Sequence, residues 1–219
     1  MKQFGGGPRL VGMYRCVTTS IEGFVQQVAC SYLVHGYMFY VRGVIPEGKD
    51  PVTVDAKLIE KYGIDRTKWR RSVDAQEGIA RMQYIRHERT FLLMATHGKH
   101  EFFEQEADLV RDARKVPIRF AGYSISYRRG QDGKHHPHVR IEKEQLATLK
   151  QHFRQRALHA SAEQIGRELG SLPFEPYAPV RRQLLELLRT ANAILHGRGV
   201  LRIPHTSIRF RRRIVHPFA

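Results

Sequence analysis

The stretch VPIRFAGYSISYRRGQDGKHHPHVRIEKEQL, residues 116–146, changes from a strand-like to a helical hydrophobic period, and it decides the fold class. Ile125 stands between two serines and shares its face with Tyr123 and Tyr127, which is the alternation of a half-buried strand. A basic, glycine-containing turn and a second extended run follow. The apolar positions then recur at helical spacing, at Leu146, Leu149, Phe153 and Ala157. We therefore predict a strand, or a pair bent at Gly122, then a hairpin and a helix.

The strand-like and helical patterns of hydrophobic residues also occur on the N-terminal side of this stretch. Residues 19–36 carry an apolar stripe at helical spacing, with Thr19 or Ser20 as a cap and Gly36 as the end. Residues 37–46 are aromatic and β-branched and predict a strand. The other elements predicted before residue 116 are a short helix at 53–64 ending at Gly63, a basic linker at 66–78, two strand-like runs that break at His87 and Glu88, and a helix at 101–115.

The composition changes after residue 158. Residues 161–170 predict a capped helix with a glycine stop, and residues 174–197 predict a longer helix with Pro179 at its first position. The final run, GVLRIPHTSIRFRRRIVHPFA, predicts two short strands or a basic tail.

Together these patterns predict an α+β fold, with a mixed sheet and packed helices followed by a helical and basic C-terminal unit. The 219 residues suffice for one large domain or two small ones. The expected divisions are a flexible basic arm at 1–10, an α+β body at 11–158 and the C-terminal unit at 159–219.

The charge balance points to a polyanionic partner. Lys and Arg number 37 against 21 Asp and Glu, which gives a formal net charge of +16. Nucleic acid is the predicted partner, and a generally basic surface with no specific role is the alternative. No apolar run reaches the roughly 18 residues of a membrane span, so no membrane is expected as a partner. The two cysteines, Cys16 and Cys30, are too few for a disulfide framework, which favours a reduced protein in the cytoplasm.

Two basic segments are candidate nucleic-acid contacts. The first surrounds the only tryptophan, Trp69, and consists of Arg66, Lys68, Arg70 and Arg71. A base can stack on the indole of Trp69, whereas the alternative is that this residue anchors the linker in the core. The second segment follows Glu186, after which no acidic residue occurs, and its candidate contacts are Arg209, Arg211, Arg212 and Arg213. Arginine grips phosphate with a bidentate fork, so these residues predict phosphate contacts.

The histidines of the hairpin allow two interpretations. His136 and His138 are two positions apart, so on a strand their imidazoles share one face and can hold a divalent metal ion, Mg²⁺ or Mn²⁺. A second pair, His97 and His100, lies beside Glu101 and Glu104. The alternative is a charged hairpin tip that contacts nucleic acid without chemistry, through residues that include Arg128, Arg129 and Lys134.

The run GKHHPHVRI, residues 133–141, resembles the metal-binding strand of HUH endonucleases, which nick single strands in rolling-circle replication and in some transposases. In that family two histidines flank one apolar residue, a metal ion on them polarises the scissile phosphate, and a tyrosine on a following helix attacks it. The resemblance implies that His136 and His138 are metal ligands and that Tyr177 is the catalytic nucleophile. Glu142, or a member of the His97 and Glu101 group, would be a third ligand.

The C-terminal helices are similar to a helix-turn-helix. In that motif a helix ending in glycine leads to a recognition helix whose first residues meet base edges. SAEQIGRELGSL followed by PVRRQLLELLRTANA would place Arg181 and Arg182 at those positions, with the terminal strands as a wing. Two packed helices with a basic surface are the alternative. Phosphate-cradling loops of the P-loop type and nucleophile elbows are absent from the sequence, which disfavours nucleotide-driven motors and hydrolases of those kinds.

The sequence therefore predicts a basic, cytoplasmic nucleic-acid-binding protein, with DNA processing in a mobile element or in replication as the setting that the HUH resemblance implies. Two alternatives stay open. One is a metal-dependent single-strand nicking or strand-transfer enzyme that uses His136, His138 and Tyr177. The other is an RNA-binding component of a ribonucleoprotein that uses the same arginines.

Overall fold

A computed structural model describes residues 14–218, which form an α+β fold with two antiparallel sheets. The α+β prediction is therefore confirmed. The first sheet contains β1 (Phe39–Val44), β2 (Met82–His87), β3 (Thr90–Ala95) and β4 (Arg111–Asp112), in the order β2-β3-β1-β4. The second contains β5 (Ile118–Phe120), β6 (Tyr123–Arg129) and β7 (His135–Ile141), in that order.

The strands form two separate sheets, where the sequence predicted one mixed sheet. Every ladder is antiparallel, and short turns join β2 to β3 and β5 to β6, a connection that only antiparallel strands permit. Parallel pairing within residues 14–218 is limited to two isolated bridges, Val17 with Arg86 and Ile79 with Lys99.

The helical segment that opens the described chain matches its prediction at both ends. α1 (Ile21–Gln27) begins at Ser20, whose hydroxyl accepts a hydrogen bond from the Gly23 N–H. The segment continues as a π-helical turn at Val28–Tyr32 and a 3₁₀ turn at Leu33–His35. It ends at Gly36, which adopts φ +83, a left-handed conformation that favours glycine.

The next elements also correspond to the sequence pattern. α2 (Pro51–Lys61) starts at Asp50, which caps the Thr53 N–H, and the chain turns at Gly63 with φ +55. β2 and β3 form the predicted hairpin, and Glu88 in its turn has φ +50.

Two predictions in the first half are wrong. Residues 66–78 were predicted as a linker, but Lys68–Gln76 form α3, because Thr67 caps the Arg70 N–H and buried Asp74 lies beside two arginines of the same segment. Residues 101–115 were predicted as one helix, but only α4 (Phe102–Gln105) is helical. The chain then extends into β4, which pairs with Phe39 and Tyr40 at the edge of the first sheet, so tertiary pairing overrides the local helical pattern.

Three helices complete the fold. They are α5 (Lys143–His159), α6 (Ala162–Gly170) and α7 (Ala178–Gly197), as the sequence predicted to within a few residues. Ser161 and Gln164 form a reciprocal capping box at the start of α6. α7 packs beside β7, where the buried Gln183 amide accepts from the Ile141 N–H and donates to the Ile141 carbonyl. The side chain of Gln183 therefore satisfies backbone groups that an edge strand leaves unpaired.

The last described residues do not form the two short strands that were one alternative for this run. After a 3₁₀ turn at His205–Ser207 the chain is irregular, and it returns to α1, where Phe218 bridges to Thr18. The Gln26 side chain donates to the Val215 carbonyl at 2.7 Å. The C-terminal segment is therefore fixed to the N-terminal part of the fold.

One hydrophobic cluster runs through both halves of the chain. It includes Phe24 and Tyr123 from the predicted body and Leu184 and Ile208 from the predicted C-terminal unit. The division at residue 158 thus coincides with no break in the core, and the predicted arm at 1–10 lies outside the described residues. None of the helices within residues 14–218 is long and apolar enough to cross a membrane.

Candidate nucleic-acid interface

The outer face of the second sheet concentrates basic side chains. Alternation along β6 and β7 places Ile125 and Val139 in the core and the intervening residues on the opposite face. Pairing across the ladder then sets these outward residues side by side. The opposed pairs are Arg119 with Ser124, Ser124 with Arg140, Ser126 with His138, and Arg128 with His136.

A groove of about 330 Å³ runs along this face, between the sheet, the first turn of α5 and the second turn of α7. We call it the sheet groove and define it by its lining residues, which are Ser124, Ser126, Arg128, Arg140, Ile141, Lys143, Leu146 and Gln183. Three of these side chains are cationic and none is a carboxylate. The groove is therefore electropositive and offers serine hydroxyls and one amide for hydrogen bonding.

The pKa of His138 indicates a positive electrostatic potential beside the groove. Burial lowers its pKa below the usual value, and the charges of Arg128, Arg140 and Arg182 lower it further. Its Nδ1 is buried and has no hydrogen-bond partner among residues 14–218. Because three cations disfavour a further positive charge here, the same field attracts a phosphate and repels a divalent cation.

The two candidate metal ligands share one face, as the spacing predicted, but they have different surroundings. The His136 Nε2 lies 2.8 Å from Asp132 Oδ2 at the exposed hairpin tip, while His138 lies among arginines. β7 is an edge strand, where Pro137 is tolerated because its missing N–H need not join a ladder. Within residues 14–218 no group of three or more His, Cys, Asp or Glu is arranged to hold a metal ion.

The second histidine pair has local contacts of its own. The His100 Nδ1 accepts from the Phe102 N–H at 3.0 Å at the start of α4, and burial lowers the pKa of His100. The His97 ring lies 6.5 Å from that of Phe39. These contacts orient the turn before α4.

Tyr177, the candidate nucleophile, lies immediately before α7. It packs against the hydrophobic core, and the Arg212 guanidinium lies 5.0 Å from its ring centroid. Burial raises its pKa, although Arg212 acts in the opposite direction. The free phenol is therefore harder to deprotonate than an exposed tyrosine.

The hairpin tip is exposed from residue 128 to residue 136. The Arg129 Nε donates to the Gly133 carbonyl at 2.9 Å, and the Asp132 side chain accepts from the Lys134 N–H. The cationic ends of Arg128, Arg129 and Lys134 have no carboxylate partner among the described residues. The three predicted contacts therefore form one accessible cationic end beside the sheet groove.

The basic residues around Trp69, at the start of α3 and just before it, form two groups. Arg66 and Arg70 lie 2.8 and 3.0 Å from the buried Asp74 carboxylate and hold the helix. Lys68 and Arg71 have no acidic partner among residues 14–218 and face a cavity. Trp69 is 72% exposed, so the alternative that it anchors the segment in the core is wrong. An exposed indole beside free cations is suited to stacking on a base.

Most of the basic C-terminal residues form ion pairs or hydrogen bonds with other parts of the protein. Arg209 and Arg213 both pair with the buried Glu175 carboxylate at 3.3 Å, and Arg212 donates to Gln26 at 2.8 Å. Arg211 is exposed and has no partner among the described residues. Most of the arginines predicted here as phosphate contacts therefore also fix the C-terminal segment.

The two arginines at the start of α7 point to different roles. The Arg181 Nη1 donates to the Phe210 carbonyl, whereas Arg182 contributes to the potential at His138. Residues 171–177 separate α6 from α7, a longer connection than the tight turn of a helix-turn-helix. No wing strand follows α7 within the described chain.

Sequence reasoning missed Arg119, Arg140 and Lys143. Arg119 is distant in sequence from the other two and approaches Arg140 only across Ser124 of β6, whereas Lys143 stands three residues after Arg140 at the start of α5. Strand alternation around Ile125 was the available signal, because extending it across the hairpin would have placed Arg140 opposite Ser124.

No protein-family model matches the chain, and no curated protein is significantly similar to it.

Proposed function

We propose that this protein binds nucleic acid, with the sugar–phosphate backbone lying along the sheet groove. The observation that carries the proposal is the groove's charge: Arg128, Arg140 and Lys143 line it, and no carboxylate does. Phosphate contacts from Arg and Lys supply most of the affinity of such proteins. The setting that the HUH resemblance implies is DNA processing in a mobile element or in replication.

The groove differs from other basic sites in the same fold. Arg86, Arg156 and Arg209 each lie beside a carboxylate at 3.3 Å or less, so their charge is largely neutralised locally. Arg128, Arg140 and Lys143 have no ion pair with an acid of residues 14–218, so their charge stays available to a ligand. Electrostatic attraction by such unpaired cations favours an extended polyanion over a neutral partner.

Exposed Trp69 favours a strand with accessible bases. An indole that is 72% exposed presents its face to a ligand, and unstacked bases are suitable stacking partners. Single-stranded DNA and single-stranded RNA both supply such bases, so the RNA-binding alternative rests on the same residues.

The experiment that tests the proposal is equilibrium binding by fluorescence anisotropy at several salt concentrations. With about four phosphates contacted by Arg128, Arg140, Lys143 and Arg182, single-strand affinity should fall about 50-fold between 50 and 200 mM salt. Single-stranded DNA, duplex DNA and single-stranded RNA of one length are compared in parallel. Affinity that does not change with salt would contradict phosphate-led binding.

A second candidate function, metal-dependent nicking, is favoured by one observation. His136 and His138 share the groove face, and α7, which follows Tyr177, packs beside β7. Against it stands the cationic environment of His138, which disfavours Mg²⁺ or Mn²⁺ at that imidazole. We therefore place binding before catalysis.

Replacing His138 with glutamine separates the two candidates. A bound phosphate offsets the surrounding arginines, so it should raise the lowered pKa of His138, and the complex then holds more protons than the free protein. Wild-type affinity should consequently rise as pH falls from 7.5 towards 5.5, and His138→Gln should show a weaker pH dependence. The measurement is anisotropy at each pH with fixed ionic strength.

The same variant is assayed for cleavage of single-stranded DNA with and without Mg²⁺ or Mn²⁺. A nicking enzyme would cut only with the ion, would lose the cut in His138→Gln and in Tyr177→Phe, and would leave a covalent adduct on Tyr177. The binding proposal expects intact strands in every lane, and a pH dependence unchanged by His138→Gln would count against the groove.

A further inference from the structure

A larger cavity, of about 640 Å³, opens between α3, β2 and the helical segment that starts at α1. We call it the tyrosine pocket and define it by Tyr14, Tyr32, Tyr37, Arg15, Arg71 and Arg81. Its volume falls in the range of small-molecule sites. It shares no lining residue with the sheet groove, so the two sites can be tested separately.

The pocket's cations are unpaired. Arg15, Lys68, Arg71 and Arg81 line it, and among residues 14–218 none of their side chains has a carboxylate partner or an internal hydrogen bond. Lys68 and Arg71 are one turn apart on α3, while Arg66 and Arg70 of the same segment are held by Asp74. Like charges brought together without an acid repel one another, so an anionic ligand would relieve the repulsion.

The inner surface is aromatic and carries amides. Tyr32 and Tyr37 are buried, with ring centroids 5.9 Å apart, and the Arg81 guanidinium lies 5.5 Å from the Tyr37 centroid. The Tyr14 hydroxyl donates to Gln83 Oε1 at 2.6 Å, which fixes the Gln83 side chain at the wall. The Gln83 Nε2 in turn donates to the Tyr37 hydroxyl at 3.4 Å. Aromatic faces and a guanidinium plane stack on planar rings.

The π-helical turn shapes one wall. The Leu33 N–H donates to the Val28 carbonyl, five residues back, so the turn is wider than in an α-helix. The wider turn has nearly five residues per turn, so Ser31 and Tyr32 both lie on the same face of the helix as Gln27. All three residues line the pocket. Single π turns are found frequently at functional sites.

We propose that the tyrosine pocket binds one nucleotide unit, with its phosphate near Arg15, Lys68 and Arg71 at the mouth and its base beside Tyr14 and Tyr37. The unit is either a free nucleotide or the phosphorylated end of a strand, since both present the same base and phosphate. The unpaired cations account for the phosphate, and the aromatic wall accounts for the base.

The test is isothermal titration calorimetry of residues 1–219 with the four 5′-mononucleotides, with adenosine and with inorganic phosphate. At least one mononucleotide should bind, and adenosine and phosphate should each bind at least about tenfold more weakly, because each lacks half of the contacts. A 5′-phosphorylated oligonucleotide and its 5′-hydroxyl counterpart identify the source. A preference for the phosphorylated strand supports a strand end, and equal binding of the two supports a free nucleotide.

The matched variants are Lys68→Glu with Arg71→Glu, and Lys49→Glu with Lys57→Glu, which remove the same charge elsewhere from exposed positions. The first pair should weaken mononucleotide binding at least about tenfold through lost charge-assisted hydrogen bonds. The second pair should leave it nearly unchanged. Circular dichroism checks that both variants are folded.

Three results would overturn the inference. They are no mononucleotide binding up to about 1 mM, phosphate binding as tight as mononucleotide binding, and equal losses in the two paired variants. If mononucleotides fail to bind while polynucleotide binding stays dependent on salt, the proposal for the tyrosine pocket is wrong and the proposal for the sheet groove still stands.

Discussion

Nucleic-acid affinity should fall about 50-fold on single strands and about 150-fold on duplex at 0.15 M salt when Arg128, Arg140 and Lys143 are replaced together by alanine. Each neutralised phosphate contributes about 0.7 to the log–log salt slope on single strands and about 0.9 on duplex. Three lost contacts therefore reduce the log–log salt slope by about two to three units. With equal affinities of variant and wild type at 1 M salt as the reference, this difference in slope gives the stated losses in affinity at 0.15 M. The measurement is anisotropy at four or more salt concentrations.

The matched control replaces Lys49, Lys57 and Arg154 with alanine. These residues are exposed and have no ion pair among residues 14–218, and the substitution removes the same net charge. Arg154 lies on α5 about 16 Å along the helix from Lys143. The control should change the slope by less than about one unit. Equal slopes for the two triple variants would mean that net charge, and not the groove, governs binding.

The largest stability effect is expected at Asp55 of α2, which is buried and pairs with the buried Arg86 of β2. The Arg86 Nε and Nη2 donate to the Asp55 carboxylate at 2.8 and 2.7 Å, and the Tyr84 hydroxyl donates to it as well. Asp55→Ala leaves a buried guanidinium without its counter-charge and a buried hydroxyl without its acceptor. The free energy of unfolding should fall by about 3–5 kcal/mol, measured by urea denaturation at pH 7.

A double variant distinguishes the destabilisation caused by leaving Arg86 unpaired from the net stabilisation that the Asp55–Arg86 ion pair provides. Asp55→Leu with Arg86→Met removes both charges and keeps apolar volume, so most of the lost stability should return. A single variant that costs less than about 1 kcal/mol would mean that water or a neighbouring group satisfies Arg86. A double variant as unstable as the single one would point to packing as the main contribution.

Local patterns predicted the elements whose stability is local. Ser20 and Gly36 bounded the first helical segment, Ser161 bounded α6, and the alternation around Ile125 gave β6. The patterns failed where partners distant in sequence intervene. Residues 106–115 leave the helix because β4 completes an edge of the first sheet, and α3 forms because Asp74 is buried against Arg66 and Arg70.

The candidate site was predictable only in part. Arg128, Lys134 and His138 were identified because they stand close together in sequence, and the structure places them on one hairpin. Arg119 and Arg140 both stand opposite Ser124 through the register of β5, β6 and β7, and Lys143 lines the same groove as Arg140 from the first residue of α5. Conversely, Arg209 and Arg213 looked unopposed because no acid follows Glu186, yet Glu175 reaches both from the segment before α7.

The sequence by itself determined the α+β class, the excess of positive charge and the existence of the basic hairpin, because hydrophobic period and composition act over neighbouring residues. Only the tertiary structure decided which positive charges remain available. Whether an arginine is neutralised depends on an acid within about 4 Å. Within residues 14–218 the fold brings such an acid to Arg66, Arg86 and Arg209 but not to Arg128 or Arg140. Coulomb interactions depend on distance in space, so a count of charges along the chain cannot identify the surface that meets a polyanion.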